Sequence, residues 1–199
     1  MSTAIAFKEW STICQALATG KQSIILRKGG IAEKDGRFLP EYDSFWLFPT
    51  YFHQNPEDLN EEGQKILLSE NSSPQQHDFV SLNALVKVSH VYDLRNLDLA
   101  LSTSPFHCFS ESTIWKRFSY RAPGIFVLAV RVYKIPEPLR ISNLPDYAGC
   151  KTWVPLQNFP GDDIETLIEK QIAQPVLSDR EYHDFLEQID RLLNPIAYV

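Results

Sequence analysis

Apolar positions along the chain switch between helical and strand spacing several times. Phe7, Trp10, Ile13, Cys14 and Leu17 recur every three or four residues. Gly20 suits the left-handed residue that ends a helix, so the first expected element is a helix that buries this stripe. Residues 23–28 read as a short strand with Ile24, Ile25 and Leu26 at its centre, closed by Gly29-Gly30, and Asp35-Gly36 marks a second turn. Phe45-Trp46-Leu47-Phe48 reads as a buried strand that Pro49 prevents from continuing as an interior ladder. Asn55-Pro56-Glu57-Asp58 supplies a cap, a first-turn proline and two early acids for a short helix towards Leu68, despite Gly63. The polar, proline-broken stretch 69–78 is expected to be the most mobile loop.

Further along, residues 84–94 alternate. Val86, Val88, His90, Tyr92 and Leu94 fall on one side of a long strand, and Leu85, Lys87, Ser89, Val91 and Asp93 on the other. Residues 110–120 read as a serine-capped helix burying Ile114, Trp115 and Phe118; continued to Arg121, it would put Arg117 and Arg121 on one face. Residues 125–135 are apolar on both faces and so predict a central strand, with another short strand at 150–156. Gly161-Asp162-Asp163 caps a helix with Ile164, Leu167, Ile168 and Ile172 on one side. Ser178-Asp179-Arg180-Glu181 is a capping box for a last helix carrying Tyr182, Phe185, Ile189 and Leu192 and ended by Pro195. No internal repeat is visible. Short turn-linked strands outnumber regular strand-helix-strand units, so the expected fold is α+β: a mainly antiparallel sheet, open or barrel-like, flanked by helices and followed by a helical C-terminus. One domain over 1–199 is expected, with the α+β core in 7–156 and acidic helices in 157–199.

Composition narrows the class. A chain of 199 residues with 44% hydrophobic and 22% charged side chains fits a globular domain, not a disordered one. The longest apolar run, 125–130, is stopped by Arg131, far short of the roughly 20 residues that span a bilayer, so no membrane partner is expected. The first residues lack the pattern of a secretory signal and the three cysteines lack paired spacing, so the expected location is cytoplasmic. The net charge of −6 argues against indiscriminate coating of nucleic acid, but the charge is unevenly spread. Residues 1–40 hold six basic and three acidic side chains and 87–153 hold nine and five; 41–86 hold one and eight, and 154–199 three and nine. Two basic blocks thus alternate with two acidic ones. They either fold against each other as a positive face or pair with the acidic blocks as ordinary surface.

Most catalytic fingerprints are absent. Thr19-Gly20-Lys21-Gln22-Ser23 resembles the tail of a phosphate loop, but position 15 is Gln and Ser23 falls one place late. There is no dinucleotide-binding glycine pattern and no Gly-x-Ser-x-Gly elbow, and no lysine has an acid two residues before it as a restriction-type nuclease needs. His53, His107, Cys108 and Cys150 lack the paired spacing of zinc ligands, so neither metal nor cofactor is expected. His90 and Cys14 read as core residues.

Four segments carry the interesting side chains. Arg27-Lys28-Gly29-Gly30-Ile31 puts two cations at a strand end beside turn amides that can face an anion, or else forms a solvated hairpin tip. Phe48-Pro49-Thr50-Tyr51-Phe52-His53-Gln54 can stack a base and read its edge, or form a core corner with His53 satisfied by a carbonyl. Trp115-Lys116-Arg117-Phe118-Ser119-Tyr120-Arg121 interleaves cations with aromatics, and Lys151 shares a strand face with Trp153. Arg131 interrupts the most apolar strand and needs a carboxylate, carbonyls or a bound anion; a structural ion pair is the simpler answer.

These segments also carry a family resemblance. Lys8-Glu9-Trp10, Leu26-Arg27-Lys28-Gly29-Gly30-Ile31, the run from Phe45 to Gln54, Arg131-Val132-Tyr133 and Gly149-Cys150-Lys151-Thr152-Trp153-Val154 look like the bacterial domain-of-unknown-function 1802 family, in the family's order. Some relatives occur with a restriction-endonuclease domain of the Mrr type, so the resemblance implies a link to restriction-modification. This chain lacks that domain's motif.

Three functions remain open. The first is a non-enzymatic module for nucleic acid or a nucleotide-like anion. Arg27, Lys28, Lys116, Arg117, Arg121 and Lys151 would contact phosphates; Tyr51, His53 and Trp153 would stack on or read a base; and Gly29, Gly30, Thr50, Gln54 and Arg131 complete the ligand set. The second is an enzyme with His53 as base and Cys150 or Thr50 as nucleophile, in a pocket lined by Trp46 and Trp153. The third is a scaffold for a protein partner, with the aromatics all in the core.

Overall fold

The computed structural model describes residues 4–28, 41–52, 54–69, 78–149 and 151–193. Two long strands carry the fold: β4 (Phe79–Leu94) and β5 (Ile125–Ser142) pair antiparallel along nearly their whole length. On its other edge β5 takes β2 (Ile24–Arg27) and, further along, the two-residue β7 (Gln174–Pro175). The path continues from β4 through β3 (Ser44–Thr50) and β1 (Ile5–Trp10) to β6 (Trp153–Pro155), giving the order β2-β5-β4-β3-β1-β6. Among the described strands only β1 and β3 run parallel. The path is open at β2 and β6, so of the two expected forms the sheet takes the open one and is not a closed barrel.

Period-two alternation divides the buried side chains between two layers. Phe7, Phe45, Leu47 and Val86 face one core, shared with α1 (Ser11–Ala18), α4 (Glu111–Ser119) and α6 (Asp179–Leu193). Ala6, Trp46, Phe48 and Leu85 face the other, which is closed by Tyr147, Leu156 and α5 (Ile164–Glu169). Two shorter helices, α2 (Glu61–Ser69) and α3 (Leu97–Leu101), flank the first layer. Because β5 is covered on both faces, its first eight residues are all buried, as the apolar run predicts.

The capping chemistry forms as written in the sequence. Ser110 accepts from the Thr113 N–H, Asp163 from the Thr166 N–H, and Ser178 and Glu181 exchange hydrogen bonds as a capping box. Gly20 has φ +73, the left-handed ending expected of it.

Other expectations need correction. The first stripe is not one helix: Ile5–Trp10 is strand β1, and the helix starts only at Ser11. Pro49 does not stop β3, which runs on to Thr50 with Pro49 in register with Glu9 of β1, past the β4 ladder that ends at Trp46. The cap of α2 is Asn60, whose Oδ1 accepts from the Gly63 N–H, not Asn55. A register shift between Val88 and His90 breaks the single alternation expected along β4. β5 outruns its expected end through Pro136 and Pro138, where a second register shift leaves the prolines out of the ladder. Trp115 is 55% exposed, because Thr113, Ile114 and Phe118 fill the buried face of α4. α4 stops at Ser119, so Arg121 does not extend its Arg117 face. Ile172 lies beyond α5 and is exposed. Expectations for Gly29-Gly30, Asp35-Gly36, the loop around 70–77, His53, Cys150 and Pro195 fall outside the described residues.

Candidate functional site

The four segments meet where β1 runs into α1. Glu9, the penultimate residue of β1, is 4% exposed. Its Oε1 accepts the Trp10 N–H at 2.9 Å, while Oε2 has no hydrogen bond and faces Arg27 Nη1 at 3.9 Å. The first segment enters through Arg27 at the end of β2. Its Nη2 donates to Thr152 Oγ1 at 2.7 Å and its guanidinium lies 4.8 Å over the Phe7 ring, while the buried Nε has no partner. The bond to Thr152 spans from β2 to the residue before β6, the two ends of the sheet path.

The second segment closes over the same junction. Thr50 Oγ1 donates to the Glu9 carbonyl at 3.1 Å. Gln54 donates to Ser11 Oγ at 3.0 Å and accepts the Thr12 N–H at 3.4 Å. Gln54 thereby serves a first-turn amide of α1, whose N-cap position is Trp10 and offers no side-chain cap. Tyr51 lies half-buried beside Thr50.

The third segment contributes Arg117 from α4. Its guanidinium lies 4.1 Å over Phe109 and 5.1 Å over Trp10, and Nη1 donates to the Leu26 carbonyl at 3.2 Å. Burial lowers the Arg117 pKa; Glu9 opposes the fall, Arg27 adds to it and Asp58 opposes it. The fourth segment brings Thr152, already described, and Trp153. Trp153 is edge-on to Phe7, Phe45 and Tyr42, at 5.0, 5.1 and 5.2 Å.

The remaining cations have other positions. Lys28 donates to the carbonyls of Phe118, Gly124 and Ala122, closing the α4–β5 connection. Burial lowers its pKa, Arg95 adds to the fall and Asp93 opposes it. Lys116 is exposed and pairs with Asp58 at 3.5 Å, and exposed Lys151 donates to the Asp146 carbonyl at 2.9 Å. Arg121 has φ 62 and lies 5.1 Å over the Tyr120 ring. Arg131 sits at the other end of the β2–β5 ladder. It pairs with Asp179 Oδ1 at 2.6 Å, donates to the Ser178 carbonyl at 3.2 Å and covers the Tyr182 ring at 4.7 Å. This is the structural ion pair, fastening the start of α6. Gly29, Gly30, His53 and Cys150 lie outside the described residues, and with them the His53–Cys150 pairing of the enzymatic alternative.

Glu9 is the site residue that reasoning on chemistry overlooked. It stands in Lys8-Glu9-Trp10 but off the apolar stripe of Phe7, Trp10, Ile13, Cys14 and Leu17. Next to the cluster, His107 is buried and its pKa falls to about 4, through burial first and the Arg117 charge second. Its Nδ1 accepts the Phe109 N–H at 3.1 Å, and Nε2 has no partner among the described residues. The Cys108 thiol is pushed up to about 11 by burial, which removes it as a nucleophile near neutral pH. Among the described residues no three His, Cys, Asp or Glu side chains converge as metal ligands. An open cleft of about 280 Å³ lies elsewhere, between Gly20–Ser23, Phe106 and the α6 residues Glu181, Phe185 and Gln188. No described helix is long and apolar enough to cross a membrane.

No curated protein matches the sequence. Among solved structures the chain is similar to the crystal structure of ASCH from Zymomonas mobilis, at 10% identity over 86% of this chain and 96% of that one, with a TM-score of 0.46. A tyrosine-to-phenylalanine mutant of the same protein gives 11% identity over 87% and 100%, and a serine-to-alanine mutant 9% over 86% and 97%, each with a TM-score of 0.46. A family model covers residues 6–188, from the β1 strand that carries Glu9 through all four converging segments, and by that match the chain belongs to the family named for its domain of unknown function, DUF1802.

Proposed function

We propose that this protein is a non-enzymatic module that binds nucleic acid or a nucleotide-like anion at the β1–α1 junction. One observation carries the reading: three cations, Arg27, Arg117 and Lys116, gather around the carboxylates of Glu9, which faces Arg27 at 3.9 Å, and Asp58, which pairs with Lys116 and acts with Glu9 on Arg117. Their charge exceeds their compensation. Among the described residues Arg27 Nε has no partner, and Arg117 donates to the Leu26 carbonyl through Nη1. A phosphate oxygen pair suits the fork that a guanidinium presents and would neutralise the excess. In this reading Lys116, Arg121 and Lys151 add further phosphate contacts, and Tyr51 and Gln54 meet the base. Lys28 and Arg131 hold the fold. A place beside restriction-modification enzymes is the family-level part of the same proposal.

The test is a salt titration of binding to labelled RNA and DNA by the wild type, Arg27→Ala and Arg117→Ala. Affinity is expected to fall steeply with salt and the slope to flatten in both variants. Binding that ignores salt, or survives both substitutions, removes the reading. The engagement of Lys28, Arg131 and Trp153 inside the fold favours a second reading, a scaffold for a protein partner. It takes the lead if the folded wild type binds no nucleic acid at low salt.

A further inference from the structure

Resting on that site reading, we propose that anion binding at Arg117 is coupled to proton uptake by the buried His107, so that each strengthens the other. The link between them is the Phe109 ring. Arg117 lies 4.1 Å over it, and the His107 ring, 3% exposed, is tilted against it at 5.8 Å. An isolated bridge to Leu59 fixes Phe109, through hydrogen bonds from the Asn60 N–H to the Cys108 carbonyl and from the Ser110 N–H to the Asp58 carbonyl. The Phe109 N–H takes no part in that bridge and donates to His107 Nδ1 at 3.1 Å. Asn60 also donates through Nδ2 to the His107 carbonyl at 2.8 Å, so both the ring and the backbone of His107 are held.

The Phe109 bond sets where a proton can go. A ring nitrogen that accepts carries no proton, so neutral His107 holds its one proton at Nε2 and a second must enter at Nδ1. Entry breaks the Phe109 bond and puts a buried positive charge within reach of the Arg117 field. Burial first and the Arg117 charge second therefore hold the free ring neutral down to about pH 4. An anion bound at Arg117 reverses the second cause, because it offsets the guanidinium and attracts the imidazolium. The other charged groups act one step away: Glu62 and Lys21 on the adjacent Cys108 thiol, and Glu9, Arg27 and Asp58 on Arg117. By reciprocity, the anion binds the protonated protein more tightly by the same factor by which it favours protonation. The site is thereby sensitive to pH through a residue that need not touch the ligand.

The experiment is a pH titration of the His107 ring by nuclear magnetic resonance, with and without sulfate, at an ionic strength matched with sodium chloride. Sulfate keeps its double charge across the range, so the anion itself does not titrate. The His107 midpoint is expected near 4 without sulfate and about one pH unit higher at saturation, a coupling of about tenfold. Exposed His183 on α6 should keep its midpoint. In Arg117→Gln the His107 midpoint should rise without sulfate, because the repelling charge is gone, and sulfate should add no further shift. If sulfate shifts the Arg27 and Arg117 side-chain signals but leaves the His107 midpoint in place, the inference fails and the site reading stands. An undiminished sulfate effect on His107 in folded Arg117→Gln also overturns it. Should Arg117→Gln not fold, the two wild-type titrations decide alone. If sulfate moves none of these signals, both the inference and the site reading fail.

Discussion

Arg27 and Thr152 are 125 residues apart in sequence and joined by a 2.7 Å hydrogen bond. The contact links the two ends of a sheet that no backbone ladder closes, and it aims the Arg27 guanidinium across the Phe7 ring towards Glu9. Sheet architecture and the candidate site are thus coupled at one side chain.

Replacing Thr152 by Val keeps the shape and removes the acceptor. Hydrogen bonds to charged groups contribute about 1.5–3 kcal/mol, and the half-buried position here favours the lower end. Thr152→Val should cost about 1.5 kcal/mol of stability in urea unfolding and weaken anion binding through a misaimed Arg27. An unchanged affinity would separate the sheet contact from the site.

Glu9→Gln distinguishes stability from binding. Removing this carboxylate takes away the ion-pair partner of Arg27 and leaves the like charge of Arg117 less opposed, and breaking a buried pair costs about 3 kcal/mol. The same change makes the junction more positive. The variant should therefore unfold at lower denaturant yet, while folded, bind inorganic phosphate more tightly than the wild type. Weaker binding by folded Glu9→Gln would place the carboxylate among the ligand contacts instead.

His107 gives a pH dependence with a definite sign. Its pKa is about 4 in the folded protein against 6.5 as its ordinary value, so below 6.5 the unfolded chain takes up a proton that the folded one refuses. Stability from this group is complete above about pH 6.5 and is lost as pH falls towards 4, by about 3 kcal/mol in all. His107→Gln should flatten the stability curve between pH 4 and 6.5. A curve with the wild-type slope would assign the acid sensitivity to other groups.

Lys28→Met retains the aliphatic stem and removes the ammonium from three carbonyls at the end of α4. The expected cost is about 2 kcal/mol of stability, with the salt slope of nucleic-acid binding unchanged. A flattened slope would return Lys28 to the phosphate contacts.

Elements whose signals are local were legible in the sequence. The Ser178–Glu181 capping box, the Ser110 and Asp163 caps, the Ile24-Ile25-Leu26 strand and the two-sided apolar run of β5 all fold as their residues dictate. β1 was not legible, because Phe7 and Trp10 continue by coincidence the three-and-four spacing of Ile13, Cys14 and Leu17. What makes Ile5–Trp10 a strand is parallel pairing with β3, about forty residues later. That misreading also hid Glu9, whose burial exists only once β1 lies between β3 and β6. The exposure of Trp115 was hidden for a related reason: Thr113, Ile114 and Phe118 already fill the groove under α4. Arg27, Thr50, Gln54, Arg117 and Trp153 were recognisable as chemistry, but their meeting at one junction is a property of the folded sheet.

The most direct measurement is the salt dependence of binding to a labelled single strand for the wild type and the Arg27→Ala/Arg117→Ala double variant. The account predicts a steep fall in affinity with salt for the wild type and a slope smaller by about two counterions in the variant. Equal slopes in two folded proteins, or no binding by the wild type at low salt, would contradict it.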